Sequence, residues 1–245
     1  QAQASHSPIA IHRQCRMSPP RPHADNAPLR AQAPRRTGRR LESGSMQHPD
    51  IAMPLKNSAS RWGTVSMALH WLVVLLILAM AWIGLRMGDL PNGPDKIATY
   101  ALHKSIGISI LALALLRLGW RLIAGAPAQV AGTPAWQARA ASLAHVGLYG
   151  LLLAIPLSGW LLNSAAGFPL QWFGVVNLPA LAGKDHALHE LAEEAHELLF
   201  WALVLLALVH AAAAMYHHLF LRDDTLSRML PRGWLRTLDK ETHDA

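Results

Sequence analysis

An all-α, integral membrane four-helix bundle with both termini cytoplasmic is the fold class this sequence predicts, and three observations predict it. Four long apolar blocks follow a polar start, each near the ~20 residues that carry a helix across a bilayer. The chain is 52% hydrophobic and only 15% charged over 245 residues, too apolar and too sparsely charged for an ordinary soluble domain. Basic residues gather at one set of block ends and acidic residues at the other, the asymmetry by which orientation in a membrane is read.

Residues 1–60 come first. Pro19, Pro20, Pro22, Pro28 and Pro34 stand among Arg30, Arg35, Arg36, Arg39 and Arg40 without apolar periodicity. Low hydrophobicity with high positive charge reads as a disordered leader. A secretory signal needs an apolar core near the start, which is absent, whereas an Arg-rich, acid-poor transit segment has a similar look. A third reading, taken here as the expectation, is a coding start placed upstream of the true one at Met46 or Met53. Residues 61–230 are then the membrane domain and 231–245 a cytoplasmic tail.

The spans are expected at 65–87, 102–123, 141–163 and 198–221. Arg86, Arg117 and Arg121 fall toward span ends, where long cationic side chains can snorkel to the headgroups. Pro156 lies inside the third span, where neighbouring helices tolerate a kink. Lys56 and Arg61 precede the first span, Arg117, Arg121 and Arg139 flank the second connection, and Arg222, Arg228, Arg232, Arg236 and Lys240 follow the fourth. The opposite side carries Asp89, Asp95, Lys96, Asp185, Glu190, Glu193 and Glu194, which places both termini in the cytoplasm. Trp62, Trp71, Trp160, Trp172 and Trp201 lie near the expected interfaces. The connection 164–197 is the longest, and its apolar piece 167–173, too short to span, reads as re-entrant or surface-lying.

The net charge of +7 does not point to nucleic acid, because the basic residues flank apolar blocks, where anionic lipid headgroups are their partners. The single cysteine, Cys15, lies in the leader, which excludes a disulfide framework and a cysteine-based metal site in the bundle.

Histidine is the residue that needs explaining. Among fourteen, His70, His103, His145, His196, His210 and His217 lie in or at the edges of spans. An ionisable side chain there is costly and marks a partner or a task. One such histidine could simply bond a carbonyl across helices, but six in four spans call for more. His189, His196, His210 and His217 are spaced by seven, fourteen and seven residues, which keeps them near one helix face. The fourteen-residue gap corresponds to ~21 Å of helix, about the separation of two haems stacked across a bilayer. A seam of ordinary core residues would be apolar, and zinc sites seldom repeat in this way along a membrane helix.

Depth suggests pairings. His103 and His196 enter from the same side, and can meet across one iron. His70 lies ~13 Å inside Arg61 and His210 ~18 Å inside Arg222, compatible depths for a second iron, while His145 and His217 are shallower. His70 is therefore preferred to His145 as the partner of His210. Two imidazoles fill both axial positions of a haem iron, which suits electron transfer. No CxxCH attachment occurs, so the groups expected are two non-covalent haem b.

With Leu69-His70-Trp71, His103 through Gly107, Arg117 through Arg121, Gly125-Ala126-Pro127, Ala144-His145, Leu148-Tyr149, Pro156 through Trp160, Ser164 through Gly167, His189, His196, and His210 through His217 in this order, the sequence from about Arg61 to Leu230 resembles the bacterial cytochrome b561 family. Its best-understood type is the di-haem membrane protein that oxidises superoxide and passes the electron to ubiquinone. The resemblance implies two b haems held by His70 with His210 and by His103 with His196, in a bacterial inner membrane. It also implies ubiquinone as acceptor near the cytoplasmic haem, with His145 and His217 as candidate quinone or haem contacts. Lys104 at the periplasmic mouth would draw superoxide by electrostatic steering, whereas Glu190, Glu193, Glu194 and Glu197 on that side would repel it; these glutamates also suit a solvated helix start. Two functions follow: a superoxide oxidase that reduces ubiquinone, or a cytochrome b relaying electrons for a dehydrogenase, a hydrogenase-type complex or a periplasmic cytochrome.

Overall fold

The computed structural model describes residues 54–231 and 234, so most of the expected leader and tail lies outside the described residues. Four helices make up the bundle: α1 Thr64–Met87, α2 Pro94–Ala124, α3 Ala135–Ala165 and α4 His186–Tyr216. All four are long and apolar enough to cross a membrane. Their bulky apolar residues point outward, among them Leu75, Leu78, Leu115, Leu198, Leu205 and Leu208. A bundle in water would bury such a surface, so this one is built to meet lipid.

Three helices start earlier than their apolar blocks. α2 begins at Pro94 instead of 102, with Pro94 in the first turn, where its missing N–H costs nothing, and Asp95 facing the positive helix end. α3 begins at Ala135 instead of 141, and α4 at His186 instead of 198, capped by the Asp185 carboxylate, which accepts from the Leu188 amide at 3.0 Å. The helices therefore extend two to three turns beyond the apolar stretch, and His103 and His196 lie within their helices, not at the first turn. α3 runs through Pro156 as one helix.

α1 packs on α2, α2 on α3 and α3 on α4, while α4 makes no comparably close approach to α1 or α2. Val73, Ile110, Ala114 and Leu152 form the buried centre of the first three helices, with Ile77, Met80 and Ile106 packed around them. On the side where α4 stands apart from α2, His196 reaches His103.

The apolar segment after α3 forms an antiparallel hairpin, β1 Leu170–Trp172 paired with β2 Val176–Leu178. Its turn needs two successive left-handed residues, Phe173 (φ 48°) and Gly174 (φ 70°). The strain at Phe173 is tolerated because its amide donates to Ser105 Oγ on α2 at 3.0 Å, while Trp172 Nε1 donates to Ser109 Oγ at 3.0 Å. This hairpin closes one end of the bundle, called here the hairpin end.

At the opposite, terminal end, the stretch before α1 meets the stretch after α4. Arg61 Nη2 donates to the Ser227 and Leu230 carbonyls at 2.9 and 2.7 Å, and Trp71 Nε1 to the Met229 carbonyl at 2.9 Å. Residues 54–60, expected as the last part of the leader, are tied down here: Asn57 Nδ2 donates to the Gly125 carbonyl at 2.8 Å, and the Ala128 amide to the Ala59 carbonyl at 2.8 Å. α4 leaves through a π-helical turn, His217–Leu221, ended by Arg222 in the left-handed region (φ 51°), which folds Asp223 back onto His217.

Candidate functional site

α4 is unbroken from His186 to Tyr216, so His196 and His210 are separated by ~21 Å along one helix and by only ~40° around it. Each meets histidines from other helices, and the bundle therefore has two histidine levels.

At the hairpin level, the rings of His103 on α2 and His196 on α4 stand 6.2 Å apart between centroids, with their planes 70° to one another. An imidazole–metal bond of about 2 Å, plus roughly 1.1 Å from nitrogen to ring centre, separates two imidazoles on one metal by about 6 Å. The observed spacing fits. His196 is held from behind: its Nδ1 lies 3.0 Å from the Ile155 carbonyl oxygen and 3.0 Å from Ser158 Oγ, both on α3. An Nδ1–H donated to that carbonyl leaves Nε2 as the lone-pair nitrogen, the tautomer a metal-binding histidine requires. Two glycines admit the rings. A Cβ at Gly159 would stand 3.1 Å from His196 Cε1, and one at Gly84 3.3 Å from His103 Cε1. His103 Nδ1 is buried with no hydrogen-bond partner among the described residues. These features suit a planar iron porphyrin held between two imidazoles.

At the terminal level, three histidines converge. The rings of His145 on α3 and His210 on α4 make edge contact at 5.2 Å, shorter than two imidazoles on one iron would stand. His70 on α1 lies within electrostatic reach of both, its ring against Trp71 at 5.2 Å. His217 is not part of this group. Its Nδ1 bonds Asp223 Oδ2 at 2.5 Å, and Asp223 Oδ1 accepts from the Thr225 amide at 2.8 Å.

The acidic residues at the start of α4 are exposed. Glu190 lies 3.5 Å from His186 and Glu193 4.0 Å from His189, so part of their charge faces histidine on the same helix. Lys104 is half-buried, and its Nζ donates to Asn163 Oδ1 at 3.1 Å.

A family model described as prokaryotic cytochrome b561 matches residues 61–232, the whole bundle. The chain belongs to this family. Cytochrome b561 homolog 2 of Escherichia coli strain K12 is 35% identical over 188 residues, 74% of this chain and 97% of that protein. Cytochrome b561 homolog 1 of the same organism is 33% identical over 180 residues, 71% of this chain and 98% of that one. A protein of Yersinia pestis named probable superoxide oxidase CybB is 29% identical over 175 residues, 70% and 97% of the two chains. Membrane electron transfer with haem b is the chemistry of the cytochrome b561 family, and this chain is a membrane oxidoreductase of that kind.

In this b561, several groups around the histidines were not singled out by sequence reasoning. Ser158 and Gly159 were visible only as parts of a familiar string, and the Ile155 carbonyl and Gly84 gave no signal. Asp223 and Thr225 went unnoticed, because the turn that brings them to His217 rests on a left-handed arginine. Arg117 does not snorkel. It is half-buried, with Nε donating to Tyr149 Oη at 3.0 Å and Nη1 3.5 Å from the Ser66 carbonyl.

Proposed function

We propose that this cytochrome carries two b haems, one at each histidine level, and moves single electrons from the hairpin end to the terminal end. The observation that carries the reading is the His103–His196 pair, spaced at 6.2 Å with His196 Nδ1 on a backbone carbonyl. His103 and His196 would hold the haem at the hairpin level. At the terminal level His70 and His210 take that role, with His145 beside them, since the 5.2 Å contact between His145 and His210 leaves too little room for an iron between those two. Haem supplies a one-electron couple at each level.

The chain's own residues do the rest. Histidine on both sides leaves no open coordination position, so an electron can pass without oxygen binding. The Ile155 carbonyl and Ser158 fix the His196 ring, and the two glycines let the rings approach. Both termini lie in the cytoplasm and the hairpin end faces the periplasm, as the Arg-rich ends require. Superoxide gives up one electron at the hairpin end and leaves as dioxygen. Two such electrons with two protons convert ubiquinone to ubiquinol near the terminal end, where His217 and His145 are the groups able to pass protons.

A second reading has its own observation. Glu190, Glu193, Glu194 and Glu197 are exposed at the start of α4, and such a patch favours a basic redox protein as donor over a small anion. Stopped-flow mixing of the purified protein with superoxide separates the two. Rapid haem reduction without a partner, followed by reoxidation on adding ubiquinone, is expected; reduction only when a soluble redox protein is supplied would transfer the role to the relay.

A further inference from the structure

Arg117 is a cation placed inside the bundle. It is half-buried, and among the described residues no lysine or arginine forms an ion pair with a carboxylate. Its hydrogen bonds go to neutral groups, Tyr149 Oη and the Ser66 carbonyl. Those partners hold it at one place: Ser66 lies one helical turn from His70 on α1, and Tyr149 one turn from His145 on α3, each on the same helix face as its histidine. Trp120 and Asn57 fix Ser66 in turn, through Trp120 Nε1 donating to Ser66 Oγ at 3.1 Å and Ser66 Oγ donating to Asn57 Oδ1 at 2.7 Å.

The two levels differ in this respect. Arg117 lies close enough to act electrostatically on His70, His145 and His210, and Arg121 also acts on His145. Among the described residues no arginine or lysine acts so at His103 or His196, and Lys104, the cation nearest in sequence, is held by Asn163.

We infer that Arg117 sets the direction of electron flow by raising the reduction potential of the terminal-level haem above that of the hairpin-level haem. This inference rests on the two-haem reading. Adding an electron removes one positive charge from the iron centre, and a fixed guanidinium nearby favours the reduced state. In a partly water-excluded bundle that preference is weakly screened. One electron leaves the hairpin-level group, which is oxidised, and arrives at the terminal-level group, which is reduced; no atom is transferred. Arg117 is a positioning charge, touching neither donor nor acceptor.

The test is an optical redox titration of the purified haem-loaded protein, with haem per chain measured separately. The count of haems reports on the two-haem reading, and the positions of the two waves report on Arg117. The wave lost in His210→Ala is assigned to the terminal level. In Arg117→Gln that wave is expected to move to lower potential by a tenfold or greater change in equilibrium, about 59 mV or more for a one-electron couple, with the other wave unmoved. Arg117→Lys is expected to keep most of the wild-type value, because it keeps the charge. Should Arg117→Gln fail to retain haem, Tyr149→Phe carries the test: it loosens the guanidinium and is expected to shift the same wave downward by less. Both waves moving together, equal shifts in the Gln and Lys variants, or lowered haem content with an unmoved potential overturns the inference.

Discussion

His196 is anchored by Ile155: the imidazole Nδ1 lies 3.0 Å from that carbonyl oxygen, with Ser158 Oγ at 3.0 Å beside it. Carbonyl, hydroxyl and a residue without a side chain, Gly159, all fall within about one turn of α3 next to Pro156. This turn serves the cofactor as an outer shell. Such support changes metal affinity by roughly 10–100-fold when removed. Gly159→Val places a Cβ and two methyls where the imidazole stands, and is expected to lose the hairpin-level haem, about half the total. Ser158→Ala, which leaves the carbonyl in place, is expected to keep the haem but release it faster to apomyoglobin. A haem assay with a transfer time course checks both.

The histidine assignments make a sharper pattern. His103→Ala, His196→Ala, His70→Ala and His210→Ala are each expected to lose about half the bound haem, because removing one axial residue empties one level. His145→Ala is expected to hold both haems while altering the spectrum of the terminal-level one, whose ligand ring it touches at 5.2 Å. Half-loss in His145→Ala together with full content in His70→Ala would reverse the roles of these two residues.

The bundle was legible because crossing a bilayer forces each span to declare itself as an apolar block. The helix starts were not, since Pro94–Asp95 and the glutamates before His196 are polar and project beyond the block. The approach of His103 to His196 could be read from depth, but the contact of His145 with His210 could not. Their supports could not: the Ile155 carbonyl belongs to the backbone, and Ser66 and Tyr149 reach Arg117 from two other helices. Periodicity gives the depth of an arginine but not whether it turns outward to headgroups or inward to a tyrosine. The hairpin was missed for a different reason, because Gly174 signals a turn but Phe173 in a left-handed conformation does not.

Asp223 yields a pH prediction. Burial opposes its charge, but hydrogen bonds from Thr225 and His217 outweigh burial and hold the carboxyl below the ordinary aspartate value. A carboxylate with a lowered pKa in the folded chain contributes stability that is complete above the unfolded value, about 3.9. That contribution is lost as pH falls through the lowered value. The Thr225 amide, which donates to Asp223 Oδ1, is therefore expected to stay protected against hydrogen exchange at pH 5 and to lose protection only in stronger acid. Asp223→Ala, which removes the acceptor, is expected to expose it at every pH. Equal protection in the variant would show that the carboxylate does not hold this turn.

Arg61 joins the two ends of the described chain through the Ser227 and Leu230 carbonyls, at 2.9 and 2.7 Å. Both acceptors lie in the short stretch that also receives Trp71 Nε1 at Met229, next in sequence to His70. One guanidinium nitrogen thus serves two carbonyls in the closure of the terminal end. Arg61→Ala leaves two carbonyls without this donor, at a cost of about 1–3 kcal/mol discounted for partial exposure. Because cleavage of a transiently opened segment follows its opening free energy, tryptic cutting after Arg228 is expected to speed up roughly tenfold in the alanine variant. Arg61→Lys is expected to fall between, because it keeps the charge on a shorter side chain that reaches the two carbonyls less well. Unchanged cutting in Arg61→Ala would mean that the Trp71–Met229 bond and the Arg228–Ala128 bond, 2.8 Å, hold the segment without it.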